Sequence, residues 1–403
     1  MINFELPNKL KTAQQMAHQV AATVFRPISR KYDKIEHMDT PPPELVQLAK
    51  MMESMNANNL AGKGGKGGER EGVVNGGNLT GIVASEELHW GDIGLVLSVP
   101  GSGLGNAAIN AVGTPEQKER FGKLYCAMAI TEPGAGSDSA AISTTAVLDG
   151  DEWVLNGSKI FCTAGQRGDA IVVWATLDKS LGKAGIKSFI VPKDAPGLTL
   201  VRVEDKMGLR ISDTAALALE NCRIPKDHIL GTAEVANTEE ARKKAFGGVM
   251  QTFDNTRPQV AAMALGGARA AIEITREILE KEGVKADFSK SLHNSSAIEA
   301  ELYRMEADLE AARLMTYKAA WMADNRLPNS MEASMCKAKA GRMGNEVTLK
   351  CVELCGELGY SEVELLEKFA RDSKVIDIFE GTQQIQQLIV ARMLLGLSSK
   401  VLK

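Results

Sequence analysis

The sequence predicts an α+β protein that runs from helices through a compact antiparallel β segment to a second set of helices. Three observations carry that expectation. Apolar residues recur at helical spacing in the first part of the chain, alternate with polar ones from about 124 to 240, and return to helical spacing from 241. The expected units are therefore a helical domain at 1–123, a β domain at 124–240 and a helical bundle at 241–403. A chain of 403 residues is long enough for two or three such cores.

Each element has its own signal. In LKTAQQMAHQVAATVF, Leu10, Ala13, Met16, Val20 and Val24 make one apolar stripe. Pro41, Pro42 and Pro43 interrupt the chain before a helix in ELVQLAKMMESM. The glycine- and charge-rich run at 58–79 reads as a surface loop; a phosphate loop would need Gly-Lys-Ser/Thr, and Lys66 is followed by Gly67. In TTAVLDGDEWVLNGSKIFCTAG the alternation continues around Asp149-Gly150 and Asn156-Gly157, both expected to make tight hairpin turns. AIVVWATL, KSFIVPKD and TAALALENCRIP continue as short strands. Three long striped segments, from Val260, Glu299 and Met331, predict an antiparallel bundle. Their apolar faces exceed what one small bundle hides, so subunits are expected to associate.

Composition excludes several function classes. Hydrophobic residues make up 44% and charged residues 24%, as in ordinary soluble globular proteins. A net charge of -4 favours neither nucleic acid nor an anionic membrane. No apolar run approaches the roughly 20 residues of a membrane span. MINFELPNKLKTAQQ has no basic start followed by an apolar core, so no secretory signal is expected. The six cysteines form no CxxC pair, which suits a reducing cytoplasm, and with five scattered histidines they give no zinc pattern.

Two stretches carry chemistry. In AITEPGAGSDSAA, Gly134 and Gly136 let backbone approach a ligand, while Thr131, Ser137 and Asp138 offer polar contacts. No GxGxxG follows a strand, which argues against a nicotinamide site. In VIDIFEGTQQIQQLIVAR, Glu380 lies between Ile376, Ile378 and Phe379 on one side and Gly381 on the other, where a helix is expected to begin. It reads either as an acid favoured by a helix N-terminus or as a base whose pKa is raised by apolar neighbours.

TEPGAGSD, the block from Lys206 to Pro225, FDNTRP and RDSKVIDIFEGTQQIQ together resemble the acyl-CoA dehydrogenase family, in order and over nearly the whole chain. The resemblance implies a helical N-terminal domain, a central antiparallel β domain and a C-terminal four-helix bundle. It also implies FAD, an acyl-CoA substrate and electron transfer to an electron-transferring flavoprotein. Glu380 then matches the base that removes the α proton, and Gly381 its partner in the motif. Ser137, Asp254, Arg257 and Gly381 match substrate contacts. Thr131, with the backbone at Met128 and Ile130, is expected to line the flavin. Phe161 matches the aromatic residue covering the ring and Thr163 the threonine near N5. Thr382 and Gln384 match positions near the adenosine and pyrophosphate.

Two features depart from the family pattern. An arginine followed by Phe-Gly is replaced by Lys281, Glu282, Gly283 and Val284, and a Gln-x-x-Gly-Gly turn carries Glu353 and Glu357. Both belong to the grip on a neighbouring subunit's FAD, and glutamates would repel a pyrophosphate. Three arrangements follow: a homotetramer with altered contacts, a heteromer with a homologous chain, or a chain without FAD. An oxidase and a non-catalytic helper subunit are the competing functions. The small residues of GLVLSVPGSGLG, 94–105, either leave room for a long or bulky acyl group or serve tight packing.

Overall fold

The computed structural model describes residues 5–61, 76–101, 103–235, 239–287 and 289–397. The side chains of 54–61, 239–255 and 292 fall outside that set, as does most of the glycine-rich run.

Helix α1 (Asn8–Val20) passes through a π-helical turn, Ala21–Phe25, into α2 (Arg26–Asp33). The buried face is Leu10, Ala17, Ala21 and Phe25, whereas Met16 is 53% exposed. The expected stripe is thus rotated. Small Ala17 and Ala21 face a neighbouring helix, and the wide turn keeps Phe25 in register behind them. The next helices are α3 (Pro43–Ala61), α4 (Gly77–Gly91), α5 (Ile93–Leu97), α6 (Leu104–Val112) and α7 (Pro115–Phe121). Asp92 caps α5 by accepting from Leu95 N at 2.8 Å. At α7, Thr114 and Gln117 form a capping box that brackets Pro115 at the first helical position.

Seven strands make one curled sheet: β1 (Cys126–Ala129), β2 (Thr145–Asp149), β3 (Glu152–Thr163), β4 (Ala170–Thr176), β5 (Ile186–Pro192), β6 (Leu198–Val203) and β7 (Thr214–Pro225). Their order is β1-β4-β2-β3-β7-β6, with β5 also on β4. The sheet is antiparallel except that β1 and the start of β2 run parallel to β4. The long connection after β1 makes that possible, because parallel neighbours need a crossover. Asp149-Gly150 does form the hairpin turn, with Asp149 opposite Glu152. Asn156-Gly157 does not. It lies inside β3 at a register shift, where Gly157 has φ +154° and an added Cβ would stand 2.4 Å from Thr144 Oγ1. The side-chain oxygen of Asn156 accepts from Asn221 N across the bulge at 2.8 Å, so the pair absorbs an irregularity instead of reversing the chain.

The last part holds α8 (Glu239–Lys281), α9 (Ala297–Asp324), α10 (Ser330–Leu354), the short α11 (Gly356–Tyr360), α12 (Leu366–Ile376) and α13 (Gln383–Leu394). Helices α8, α9, α10 and α12 surround one core. Ala261, Ala264, Ala268 and Ala271 let α8 approach its neighbours closely, and Leu309, Met343, Phe369 and Ile376 fill the space between. The core sits directly behind the turn that carries Glu380.

Candidate active site

Glu380 lies in the turn between α12 and α13, not in a first helical turn. Thr382 is the N-cap of α13, its Oγ1 accepting from Ile385 N at 3.3 Å. The carboxylate thus stands just beyond the N-terminus of α13, outside its capping bond. Glu380 itself has φ +53° and Gly381 φ +94°, two consecutive left-handed residues. A non-glycine residue in that region stores strain and persists only where its surroundings fix it. Gln386 Nε2 donates to both carbonyls, Glu380 O and Gly381 O, at 3.1 Å each. Lys337 Nζ donates to Gly381 O at 2.7 Å from inside the bundle. Thr256 Oγ1 donates to Glu380 Oε2 at 2.6 Å. Burial raises the Glu380 pKa, opposed by the Thr256 hydrogen bond and by the charges of Arg257 and Lys337. The result is an oriented carboxylate, more basic than one in water.

A second cluster forms where β1 meets β3. Ile160 N donates to Thr131 O at 2.9 Å, which sets the TEPGAGSD loop beside Phe161. Phe161 sits at a register shift with φ +56° and is 61% exposed, an aromatic ring turned out of the sheet. Thr163 is half-buried two residues on, as are Met128, Ile130 and Thr131. Beneath them lies a pair the motifs did not single out. Glu132, 4% exposed, accepts from the backbone N of Ser143 and Thr144, from both their hydroxyls and from Lys159 Nζ at 2.7 Å. Lys159 Nζ also donates to Ile130 O at 3.0 Å. Although burial opposes it, hydrogen bonds from Lys159, Thr144 and Ser143 hold the Glu132 pKa down to about 2.

The two clusters are joined through 207–213. Leu209 N donates to Asp372 Oδ1 at 2.6 Å, and Arg371 Nη1 to Met207 O at 3.1 Å, so α12 is bolted to the loop entering β7. An added Cβ on Gly208 would stand 2.4 Å from Arg371 O. Strand β7 in turn pairs Thr214 with Thr163. Lys368, buried among Asp92 (2.7 Å) and Asp372 (2.5 Å), ties the same helix to the cap of α5.

Profiles for the N-terminal, middle and C-terminal domains of acyl-CoA dehydrogenase match residues 8–128, 127–222 and 246–395. The chain belongs to the acyl-CoA dehydrogenase family. It is 33% identical to the short-chain specific acyl-CoA dehydrogenase of Clostridium acetobutylicum, over 97% of this chain and 99% of that one. The butyryl-CoA dehydrogenase structure from Megasphaera elsdenii aligns with a TM-score of 0.80 at 31% identity, covering 98% of this chain and all of that one. A structure concerning the electron transferring flavoprotein of Acidaminococcus fermentans and flavin-based electron bifurcation aligns at 0.78 and 32% identity, covering 98% of this chain and 100% of that one. The enzyme is thus an oxidoreductase of an FAD-dependent family.

The cluster at β1 and β3 fits a flavin ring. An exposed aromatic face lies next to the Thr131 loop, and the hydroxyls of Thr131 and Thr163 carry no hydrogen bond among the described residues. Open space lies in front of Gly134 and Gly136. Ser137 is exposed on the same loop, away from Glu380 in the sequence and on a different element. Arg257 is buried, with Nη1 3.4 Å from Ser334 Oγ, and its charge opposes the rise of the Glu380 pKa; the Asp254 side chain lies outside the described residues. Gln384 is exposed on the first turn of α13.

Both departures from the family pattern are helix ends. Gly283, at φ +80°, stops α8, with Val284 N donating to Leu279 O at 2.8 Å. Glu353 and Glu357 are exposed where α10 gives way to α11, Glu353 paired with Lys350 at 2.5 Å. In 94–105, an added Cβ on Gly103 or Gly105 would stand 2.4 Å from the carbonyl of Cys126 or Ala127. Those two glycines serve close packing of α6 on β1. The sequence missed Thr256, Lys337, Glu132 and Lys159. Thr256, Glu132 and Lys159 lie inside quoted motifs, and only Lys159, a charge in a strand pattern, carried a signal that could have found it.

Proposed function

We propose that this enzyme dehydrogenates a short-chain acyl-CoA thioester to its trans-2-enoyl-CoA, with Glu380 as the base that removes the α proton. The observation that carries the reading is the Glu380 turn: a strained, multiply anchored carboxylate whose burial makes it basic. A carboxylate in water, with a pKa of about 4.3, is a poor match for a carbon acid. Here Thr256 aims one oxygen and leaves the other for the substrate. Thioester acidity is raised in turn by donors to its carbonyl, among them the Glu380 backbone N–H. FAD, when bound, supplies the acceptor for the β hydride. Phe161, Thr131 and Thr163 would hold its ring, with the Met128–Ile130 backbone, and Thr382 and Gln384 would lie toward its pyrophosphate. Ser137, Asp254 and Arg257 would serve the substrate.

The short acyl group is supported by the Clostridium relative and by the glycines at 103 and 105, whose small size is used up in backbone contact. An electron-transferring flavoprotein is the natural acceptor, as the Acidaminococcus structure suggests, and a β-oxidation step the natural setting. Six free, buried cysteines suit a reducing cytoplasm. Exposed Trp321, Leu349 and Tyr360 on the C-terminal helices, and Val363 in the turn after α11, support an oligomer. It is either a homotetramer or a heteromer whose partner supplies what Glu353 and Glu357 withhold.

Absorbance of the chain purified alone, before and after butyryl-CoA, tests the reading. Bleaching near about 450 nm, where oxidised flavin absorbs, that is abolished by Glu380→Gln supports a self-sufficient dehydrogenase. Turnover by Glu380→Gln at the native rate overturns the base assignment. Stoichiometric flavin in the lone chain overturns the heteromer, and a colourless chain that gains flavin with a homologous partner overturns the homotetramer.

A further inference from the structure

Lys337 is 1% exposed on α10, between fully buried Cys336 and the fully buried Ala340 one turn on. An ammonium in such surroundings is costly unless its charge is used. A single carbonyl could be satisfied by a neutral donor. Yet Nζ reaches 44 residues along the sequence to Gly381 O at 2.7 Å, directly behind the base. The groups facing it are Glu380 and Asp377 from the turn after α12 and Arg257 from α8. Gln386 from α13 shares the same Gly381 oxygen at 3.1 Å.

Building on the base assignment above, we propose that Lys337 is a positioning residue for Glu380. Its ammonium pins the Gly381 carbonyl, which keeps the two-residue left-handed turn closed, and it sets a fixed positive charge behind the carboxylate. The charge biases Glu380 toward its ionised form. In each cycle the carboxylate becomes a neutral acid on taking the α proton, and the cation favours giving that proton up again. Burial draws the Lys337 pKa down to about 8, with Asp377 and Glu380 pulling it up and Arg257 pulling it down. The cation therefore persists through the acid limb of the reaction.

The test uses the full chain with Lys337→Met, Lys337→Gln and Lys337→Arg. Glu380 ionisation is followed by its carboxylate infrared band, assigned by its loss in Glu380→Gln, and steady-state kinetics with butyryl-CoA are followed across pH. Because activity rises as Glu380 ionises, losing the cation moves the acid limb upward. Lys337→Met and Lys337→Gln should raise the infrared midpoint and the acid limb of kcat together by about one pH unit, a typical effect of one nearby charge. The expected fall in kcat on the acid limb is about tenfold, with KM little changed. Lys337→Arg, which keeps the charge, should retain most of the native profile. Loss of the bond to Gly381 O lowers the melting temperature, whereas a purely structural role would leave the infrared midpoint and the acid limb where they are. A native midpoint and acid limb in the folded neutral variant overturn the proposal. If Lys337→Met does not fold, Lys337→Gln against Lys337→Arg decides by the same readouts. Native turnover by Glu380→Gln would instead overturn the base assignment itself.

Discussion

Replacing Glu132 by alanine strands a buried ammonium. Lys159 is fully buried, and its carboxylate partner accepts five hydrogen bonds from Ser143, Thr144 and Lys159. Two routes give the magnitude. Breaking one side of a buried ion pair typically costs about 3–5 kcal/mol. Independently, displacement of the Glu132 pKa from an ordinary 4.5 to about 2 corresponds to about 3 kcal/mol of folding stability. Since the folded pKa is the lower one, that stability is present above pH 4.5 and is lost as pH falls toward 2. For a cooperative unit of this length, with about 2.1 cal/mol/K per residue, the variant should melt about 4–6 °C lower at neutral pH. The double variant Glu132→Ala with Lys159→Met should recover much of the loss, because no uncompensated charge remains. Calorimetry of both variants and the parent at pH 7 and pH 4 measures this. Melting of Glu132→Ala within about 1 °C of the parent, or a double variant less stable than the single, would refute the reasoning.

Three further outcomes are expected. Glu380→Gln should lower kcat for an acyl-CoA by a factor of about 10²–10⁴ while the flavin content stays native, read by stopped-flow bleaching. Thr256→Val removes a donor to the ionised carboxylate, so the Glu380 pKa rises further; the acid limb of kcat should move up by about one pH unit. Gly208→Ala forces a Cβ to 2.4 Å from Arg371 O and should cost about 1–3 kcal/mol in thermal unfolding, together with a loss of kcat as α12 shifts.

The helices, most strands and the Glu380 turn were legible because periodicity and local motifs report on local structure. Met16 was misread because stripe counting cannot tell which flank of an apolar face will meet a close-packed neighbour. Asn156-Gly157 was misread because the same dipeptide serves a hairpin or a bulge, and the choice depends on Thr144 and Asn221, which are distant in sequence. Lys337, Lys159 and Glu132 escaped notice for a related reason. A lysine in a helical pattern looks solvated until the fold shows which carbonyl or carboxylate it reaches. Thr256 was hidden in plain view between two recognised motif residues.

The joint around α12 also bears on the order in which the enzyme is made. Asp33 waits for Arg371, Asp92 for Lys368, and Leu209 N for Asp372. All three receptors are synthesised long before the helix that completes them. The helical front and the sheet are therefore complete in sequence before α12 emerges, and α12 joins the turn carrying Glu380 to them.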